Sequence, residues 1–280
     1  MKIGKLNFNV RTAGTGTGTA FIWAHGLLSS MAVEDQLDWY QWGTFPANLK
    51  LVRYDARGHG QTQATYRPED YHWRSLGEDM LAVADAVGER YFIAGGASMG
   101  CATALYAALQ APGRIHGLVL VIPPNIWEKR APQRPVYQRN ARLGGLLGGR
   151  MLARLASGQA QQVVPGWLLQ AEPDRLSALN MGLEKMPGRT LGPLLRGAAA
   201  TDLPTRESLV AGVRDIPALI ITWVDDPTHP VWSAEELARH LPKSDLFVAK
   251  GYDDFKTIPQ RIRSFIVTTL HYQPPPLHFS

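Results

Sequence analysis

A buried-strand pattern that runs straight into a glycine-framed serine is the feature that most restricts this chain. Tyr91-Phe92-Ile93-Ala94 is a short apolar run, and Gly96-Ala97-Ser98-Met99-Gly100 follows it. An alanine-rich stretch then predicts a helix over Met99–Gln110, ended by Pro112-Gly113. A strand passes into a helix over so few residues only through a tight turn, which leaves no room for side chains at positions 96 and 100. Such a turn holds the serine at the strand's carboxyl end with its hydroxyl exposed. The unit belongs in an α/β protein, where a sheet is covered by helices.

The remainder of the chain keeps that rhythm. Phe21-Ile22-Trp23-Ala24, Leu51-Val52-Arg53-Tyr54, Gly117-Leu118-Val119-Leu120-Val121-Ile122, Ala218-Leu219-Ile220-Ile221-Thr222-Trp223 and Leu246-Phe247-Val248-Ala249 predict further strands. Residues 5–10 alternate as an edge strand would. Ser75-Leu76-Gly77-Glu78 reads as a capping box opening a helix, with Leu76, Met80, Val83, Ala84 and Val87 on its buried face and Gly88 at its end. Between residues 123 and 215 the alternation stops. Pro123, Pro124, Pro132 and Pro135 interrupt the chain, paired glycines follow at 144–145 and 148–149, and leucine-rich helical pieces such as Met151-Leu152-Ala153-Arg154-Leu155 recur. The expected organisation is a core of residues 1–122 and 216–270, a helical cap of residues 123–215, and a tail of residues 271–280.

Composition narrows the function classes. With 45% hydrophobic and 19% charged residues in 280, the chain is an ordinary globular one, long enough to bury a large core. No apolar run approaches the ~18 residues of a membrane span. Met1-Lys2-Ile3-Gly4-Lys5 leads into a polar stretch rather than an apolar secretory segment. The single cysteine, Cys101, excludes an intramolecular disulfide framework and argues against a cysteine metal cluster. A cytoplasmic protein with no metal, no cofactor and no membrane partner is expected. The net charge of +5 is concentrated in Lys129, Arg130, Arg134, Arg139, Arg142, Arg150 and Arg154, with Glu128 the one acid among them. That stretch is either a solvated face or a positive rim that steers anionic substrates. No nucleic-acid motif accompanies it.

The chemistry centres on Ser98. His25-Gly26-Leu27-Leu28 follows an earlier strand, and there the backbone is the expected contributor: the N–H groups of Leu27 and Met99 could hold the oxyanion of a tetrahedral intermediate. Together with Tyr54-Asp55-Ala56-Arg57-Gly58-His59-Gly60, these turns resemble, in order and spacing, the landmark turns of the α/β-hydrolase superfamily, in its serine-nucleophile branch with a helical cap. The resemblance spans roughly residues 21–266, interrupted by the cap. It implies a mostly parallel eight-stranded sheet, a nucleophile–acid–histidine triad in that chain order, and no cofactor. It also implies that Asp55, Arg57 and His59 are structural, bracing the turn beneath the site. The family's acid lies on the loop Val224-Asp225-Asp226-Pro227-Thr228-His229-Pro230, where the trailing proline selects Asp226. Asp225 is the alternative if the register slips by one.

The histidine departs from the family pattern. Where relatives carry a Gly-x-Gly-His turn, this chain reads Gly251-Tyr252-Asp253-Asp254-Phe255, with Asp254 at the base position. A carboxylate with an ordinary pKa of about 4 is a poor acceptor for a serine proton. Either catalysis is impaired or another histidine serves. Of the eight histidines, His116 and His240 belong to the wrong sheet edge, His271 and His278 to the tail, and His72 to a surface helix; His25 and His59 have structural places. His229 remains, as the base or as a brace for the Asp226-Pro227 turn. Cys101, one helical turn beyond Ser98, reads as a small core residue. The expected function is a cofactor-free serine hydrolase acting on an ester, thioester or lactone, possessing Ser98, Asp226 and His229. The alternative is a ligand-binding or scaffold member of the fold with an incomplete triad.

Overall fold

The computed structural model describes residues 1–16, 20–156 and 164–271. Seven strands form the main sheet: β3 (Val10–Ala13), β4 (Ala20–Ala24), β5 (Leu51–Tyr54), β6 (Phe92–Ala97), β7 (Ile115–Val121), β8 (Ala218–Trp223) and β9 (Ser244–Ala249). Their order across the sheet is β3-β5-β4-β6-β7-β8-β9. Only β3 runs antiparallel to its neighbour; every other pairing is parallel. The expected eight-stranded sheet and the edge strand at residues 5–10 are both corrected. Gly4, at φ +56°, turns the chain so that β1 (Lys2–Ile3) pairs with β2 (Leu6–Asn7) in a separate hairpin. The sheet edge passes to β3, which pairs with β5 from Val10↔Tyr54 to Ala13↔Leu51.

Alternation along the strands divides the core into two faces. Ile22, Val52, Ala94, Leu118, Leu120 and Ile220 point to one face. There they meet the buried sides of α2 (Trp73–Ala86), α3 (Met99–Gln110), α9 (Arg206–Val213) and α10 (Val231–His240). Phe21, Trp23, Ile93, Val119, Val121, Leu219 and Ile221 point to the other, under α1 (Met31–Leu37) and α12 (Ile258–His271). Both faces are covered, so the strands carry apolar runs rather than one polar side.

The predicted helix over Met99–Gln110 is present with those bounds. The capping box is not. α2 begins two residues earlier, at Trp73, whose N–H donates to Thr201 Oγ1, while the Ser75 hydroxyl donates to the carbonyl of Glu69. Ser75 therefore lies inside the helix, and a distant threonine supplies the first acceptor. Gly88 does end the region in a left-handed conformation, at φ +80°.

Between β7 and β8 the chain is helical: α4 (Arg134–Ala156), α5 (Gly166–Ala171), α6 (Pro173–Leu176), α7 (Met181–Glu184) and α8 (Gly188–Ala200) precede α9. α4 is two helical pieces joined at Gly148, whose φ of 75° and ψ of 167° are non-helical. α4 packs on α8 around Ala141, Leu152, Leu183, Leu191, Leu194 and Leu195. α9, in contrast, buries Leu209 and Val213 in the core beside α3. The expected tail falls outside the described residues after His271.

Candidate active site

Ser98 sits where β6 ends and α3 begins, at φ 52° and ψ −111°. A non-glycine residue in that region is strained by on the order of 1–3 kcal/mol, and the surroundings must hold it there. Three bonds do. Ser98 N–H donates to Val121 O at 2.9 Å, Ser98 O accepts from Cys101 N–H at 2.9 Å, and the Cys101 thiol lies 3.1–3.2 Å from the carbonyls of Val121 and Gly96. The flanking glycines are obligatory: a Cβ on Gly96 would lie 2.3 Å from the backbone of Gly100, and one on Gly100 would lie 2.0 Å from Ala24 O. Burial pushes the Cys101 thiol far up from its ordinary pKa, so it is an inert brace rather than a second nucleophile.

His229 reaches this serine. Its Nε2 is 2.8 Å from Ser98 Oγ, although the two residues are 131 positions apart. Its Nδ1 lies 3.2 and 3.3 Å from the two oxygens of Asp226, and 2.8 Å from Thr228 Oγ1. The tautomer follows from the network. Asp226 as a carboxylate only accepts, so the Thr228 hydroxyl, 2.9 Å from Asp226 Oδ1, must donate to it. Thr228 Oγ1 then accepts from Nδ1–H, which leaves Nε2 bare and able to accept from the serine hydroxyl.

Asp226 is held by its own loop. Its Oδ1 accepts from the backbone N–H groups of Thr228 and His229, and its Oδ2 accepts from Trp223 Nε1. Burial disfavours its charge, but the bonds and charge of His229 and the backbone donors outweigh that and hold its pKa below the ordinary value. Asp225, the alternative acid, is exposed in a left-handed turn at φ 61° and takes no part in these hydrogen bonds.

The oxyanion donors expected from sequence are open. Among the described residues, neither Leu27 N–H nor Met99 N–H has a hydrogen-bond partner. Met99 is the first residue of α3, where the helix dipole favours negative charge. Beneath them, His25 accepts from Ala56 N–H at Nε2 and donates from Nδ1 to Gly26 O. Asp55 accepts from Met31 N–H, Gln61 N–H and Asn9 Nδ2, and Arg57 grips Asp79 through two bonds of 2.5 and 2.7 Å. His59 is buried beside His25, and burial first, then that neighbour, lowers its pKa to about 3. These residues brace the turn.

The other histidines and Asp254 stay away. Asp254 Oδ2 accepts from Lys250 N–H within its own turn. His116 stacks on Tyr91, and His240 meets Trp127 and Glu236. His72 precedes α2; the side chain of His271 and all of His278 lie outside the described residues.

A cavity of about 170 Å³ opens on Ser98 and His229, lined also by Pro124, Asn125, Gln133, Val136, Tyr137 and Thr228. Sequence reasoning did not single out Thr228, Gln133 or Tyr137. Thr228 was visible between Asp226 and His229, whereas Gln133 and Tyr137 reach the site only because the 3-10 turn at 131–133 and the start of α4 lie against it. None of the basic residues of the 129–154 stretch lines the cavity, so it forms no rim there. Arg130 is buried instead, bonded to Thr201 O and Ala198 O and stacked on Trp73 and Tyr137. A wider, open depression of about 440 Å³ lies at the opposite strand ends, where Arg114 is already paired with Asp85. No group of metal-ligating side chains occurs among the described residues, and no helix there is long and apolar enough to cross a membrane.

Comparison with known proteins agrees with this fold. The sequence model of the alpha/beta hydrolase fold family matches residues 19–255. A pimeloyl-[acyl-carrier protein] methyl ester esterase of Nitrosomonas europaea is 26% identical over 266 residues, covering 89% of this chain and 95% of that protein. Among solved structures, a hydrolase from Pseudomonas aeruginosa superimposes with a TM-score of 0.75 at 22% identity, covering 97% of this chain and 100% of that one. An enol-lactonase from Burkholderia xenovorans gives a TM-score of 0.74 at 18% identity, covering 96% and 98% of the respective chains. With its seven-stranded, mostly parallel sheet and a family match over most of its length, this chain belongs to the α/β-hydrolase fold family and is a hydrolase of that fold.

Proposed function

We propose that the protein is a cofactor-free serine hydrolase that cleaves a small carboxylic ester, thioester or lactone through an acyl-enzyme. The observation that carries this reading is the 2.8 Å approach of His229 Nε2 to Ser98 Oγ, with Asp226 and Thr228 behind Nδ1. Ser98 Oγ attacks the carbonyl carbon while its proton passes to Nε2. The oxyanion is held by the N–H groups of Leu27 and Met99. Collapse expels the alcohol, thiol or ring oxygen, which takes the proton back from Nε2. Water then gives a proton to Nε2 and attacks the acyl-enzyme; a second collapse frees the acid and returns the proton to Ser98. Asp226 stays ionised and stabilises the transient imidazolium.

The cavity supports a short acyl group. About 170 Å³ is below the ~300–1,000 Å³ of common small-molecule sites. Gln133, Val136 and Tyr137 reach it from outside the sheet, so the helices between β7 and β8 act as a cap that selects substrate. His229 is the one basic side chain in the lining, and no lysine or arginine joins it, which favours a neutral acyl group. A preference for anionic esters would then rest on long-range charge alone. The names of the relatives support carbonyl chemistry of this kind: a methyl ester for one, an enol-lactone for another.

A fluorophosphonate probe tests the reading, because only an activated serine reacts at a useful rate. The wild type should label on Ser98 and hydrolyse p-nitrophenyl acetate, and Ser98→Ala should do neither while keeping its fold. Undiminished hydrolysis by Ser98→Ala would overturn the assignment.

A further inference from the structure

Of the ten large apolar side chains exposed among the described residues, six lie on α4, so the exposure is a property of that helix rather than of the surface at large. They are Val136, Leu143, Leu146, Leu147, Met151 and Leu155, and Leu146 is 85% exposed. Val136, Leu143 and Leu147 recur at positions i, i+7 and i+11, which places them on one stripe of the first helical piece. The same helix holds five arginines and no acid. Arg139 and Arg142 fall beside the stripe, and neither they nor Arg150 form an ion pair with a described residue.

We propose that this face of α4 docks the protein on an anionic lipid surface. Apolar tips between unpaired arginines match the boundary of a bilayer: the leucines enter the acyl edge and the guanidinium groups stay among the phosphates. A second copy of this chain would oppose arginine with arginine. Nucleic acid would call for stacking aromatics where this stripe has aliphatic side chains. Val136 also lines the cavity that opens on Ser98, so the stripe runs outward from the mouth of the site. Docking there would turn that mouth toward ester molecules dissolved in the lipid. It is surface contact and not a crossing, in keeping with the absence of a spanning helix among the described residues. The binding itself does not depend on the hydrolase reading.

Co-sedimentation with vesicles tests the proposal, comparing phosphatidylcholine alone with a mixture containing phosphatidylglycerol. The full chain should bind the mixture, bind phosphatidylcholine far less, and release as salt rises. Arg139→Gln with Arg142→Gln should weaken binding by about fivefold for each arginine removed. Leu146→Ser with Leu147→Ser should weaken it by at least about tenfold. Both pairs are exposed and outside the cavity, so thermal unfolding and soluble-ester hydrolysis should be unchanged, which separates lost docking from lost folding. Three results would overturn the proposal. One is no binding to either vesicle. Another is equal binding by the leucine variant, which would leave only general electrostatic adsorption. The last is a dimer in solution that the leucine substitutions dissolve, which would give the face to a second copy.

Discussion

The loops that leave β8 and β9 start from neighbouring strands at the same edge of the sheet, and the first holds together the carboxylate and the imidazole that the family pattern divides between the two. The loop after β8 carries Asp226, Thr228 and His229, all in one hydrogen-bonded cluster beside Ser98. The loop after β9, where relatives place the histidine, spends Asp254 on its own turn. It sends Tyr252 to Glu172, an acid that also accepts from Trp39. One loop meets the serine and the other ties the outer helices to the core. Chemistry of this kind needs an imidazole at one point in space, and either loop end can supply it.

Replacing His229 and Asp254 in turn gives the widest test of that division. General-base catalysis is worth about 10² to 10⁴ in rate, so His229→Ala should lose at least ~10²-fold in kcat. Asp254→Asn keeps an oxygen to accept from Lys250 N–H and should stay within about twofold of wild type. A dead Asp254→Asn beside an active His229→Ala would show that the duties were assigned backwards.

Within the β8 loop, Thr228 should behave as a positioning residue. Thr228→Val removes the hydroxyl that accepts from Nδ1 and should lower kcat by about fivefold to tenfold, with KM little changed. Thr228→Ser should restore most of it. If valine and serine act alike, the hydroxyl has no share in holding the ring.

For the β9 loop the expected effect is on stability alone. Tyr252→Phe removes one hydrogen bond to a charged acceptor, so urea unfolding should show a loss of about 1 to 2 kcal/mol with kcat unchanged. A large kinetic effect would place that loop in the reaction after all.

The smallest effect is an acid-stability difference traced to Asp226. Its folded pKa is depressed, so below the ordinary carboxylate range the unfolded chain binds the proton more readily than the folded one. Its contribution is present in full above the unfolded value of about 3.9 and is lost as pH falls through the folded value. Circular dichroism between pH 5 and roughly pH 2 should therefore show a shallower loss of stability for Asp226→Asn than for wild type. Parallel curves would mean that the carboxylate is not stabilised by its loop.

Much of this arrangement was legible in the chain itself. The strand–serine–helix turn was, because the constraints are local: Gly96 and Gly100 meet backbone within a few residues of Ser98, or across one neighbouring strand. The strands and α3 were also readable, since burial on both faces of a parallel sheet writes continuous apolar runs. The family resemblance with the trailing proline singled out Asp226, and elimination left His229 as either a base or a brace for the turn; the sequence did not choose between those two. Local patterns misled at the N-terminus and at Ser75. There, a turn at Gly4 and an acceptor from Thr201 decided the outcome, and neither competitor is visible in a short window.

What the sequence by itself determined is the class of fold and the strand–turn–helix setting of Ser98, both set by steric rules acting over a few residues. Only the tertiary structure decided that His229 is turned toward Ser98, that Thr228 stands behind it, and that Arg130 lies inside while Leu146 lies outside. Those outcomes depend on how the sheet and the outer helices pack. The distances that matter there separate residues far apart in the chain, and no local periodicity encodes them.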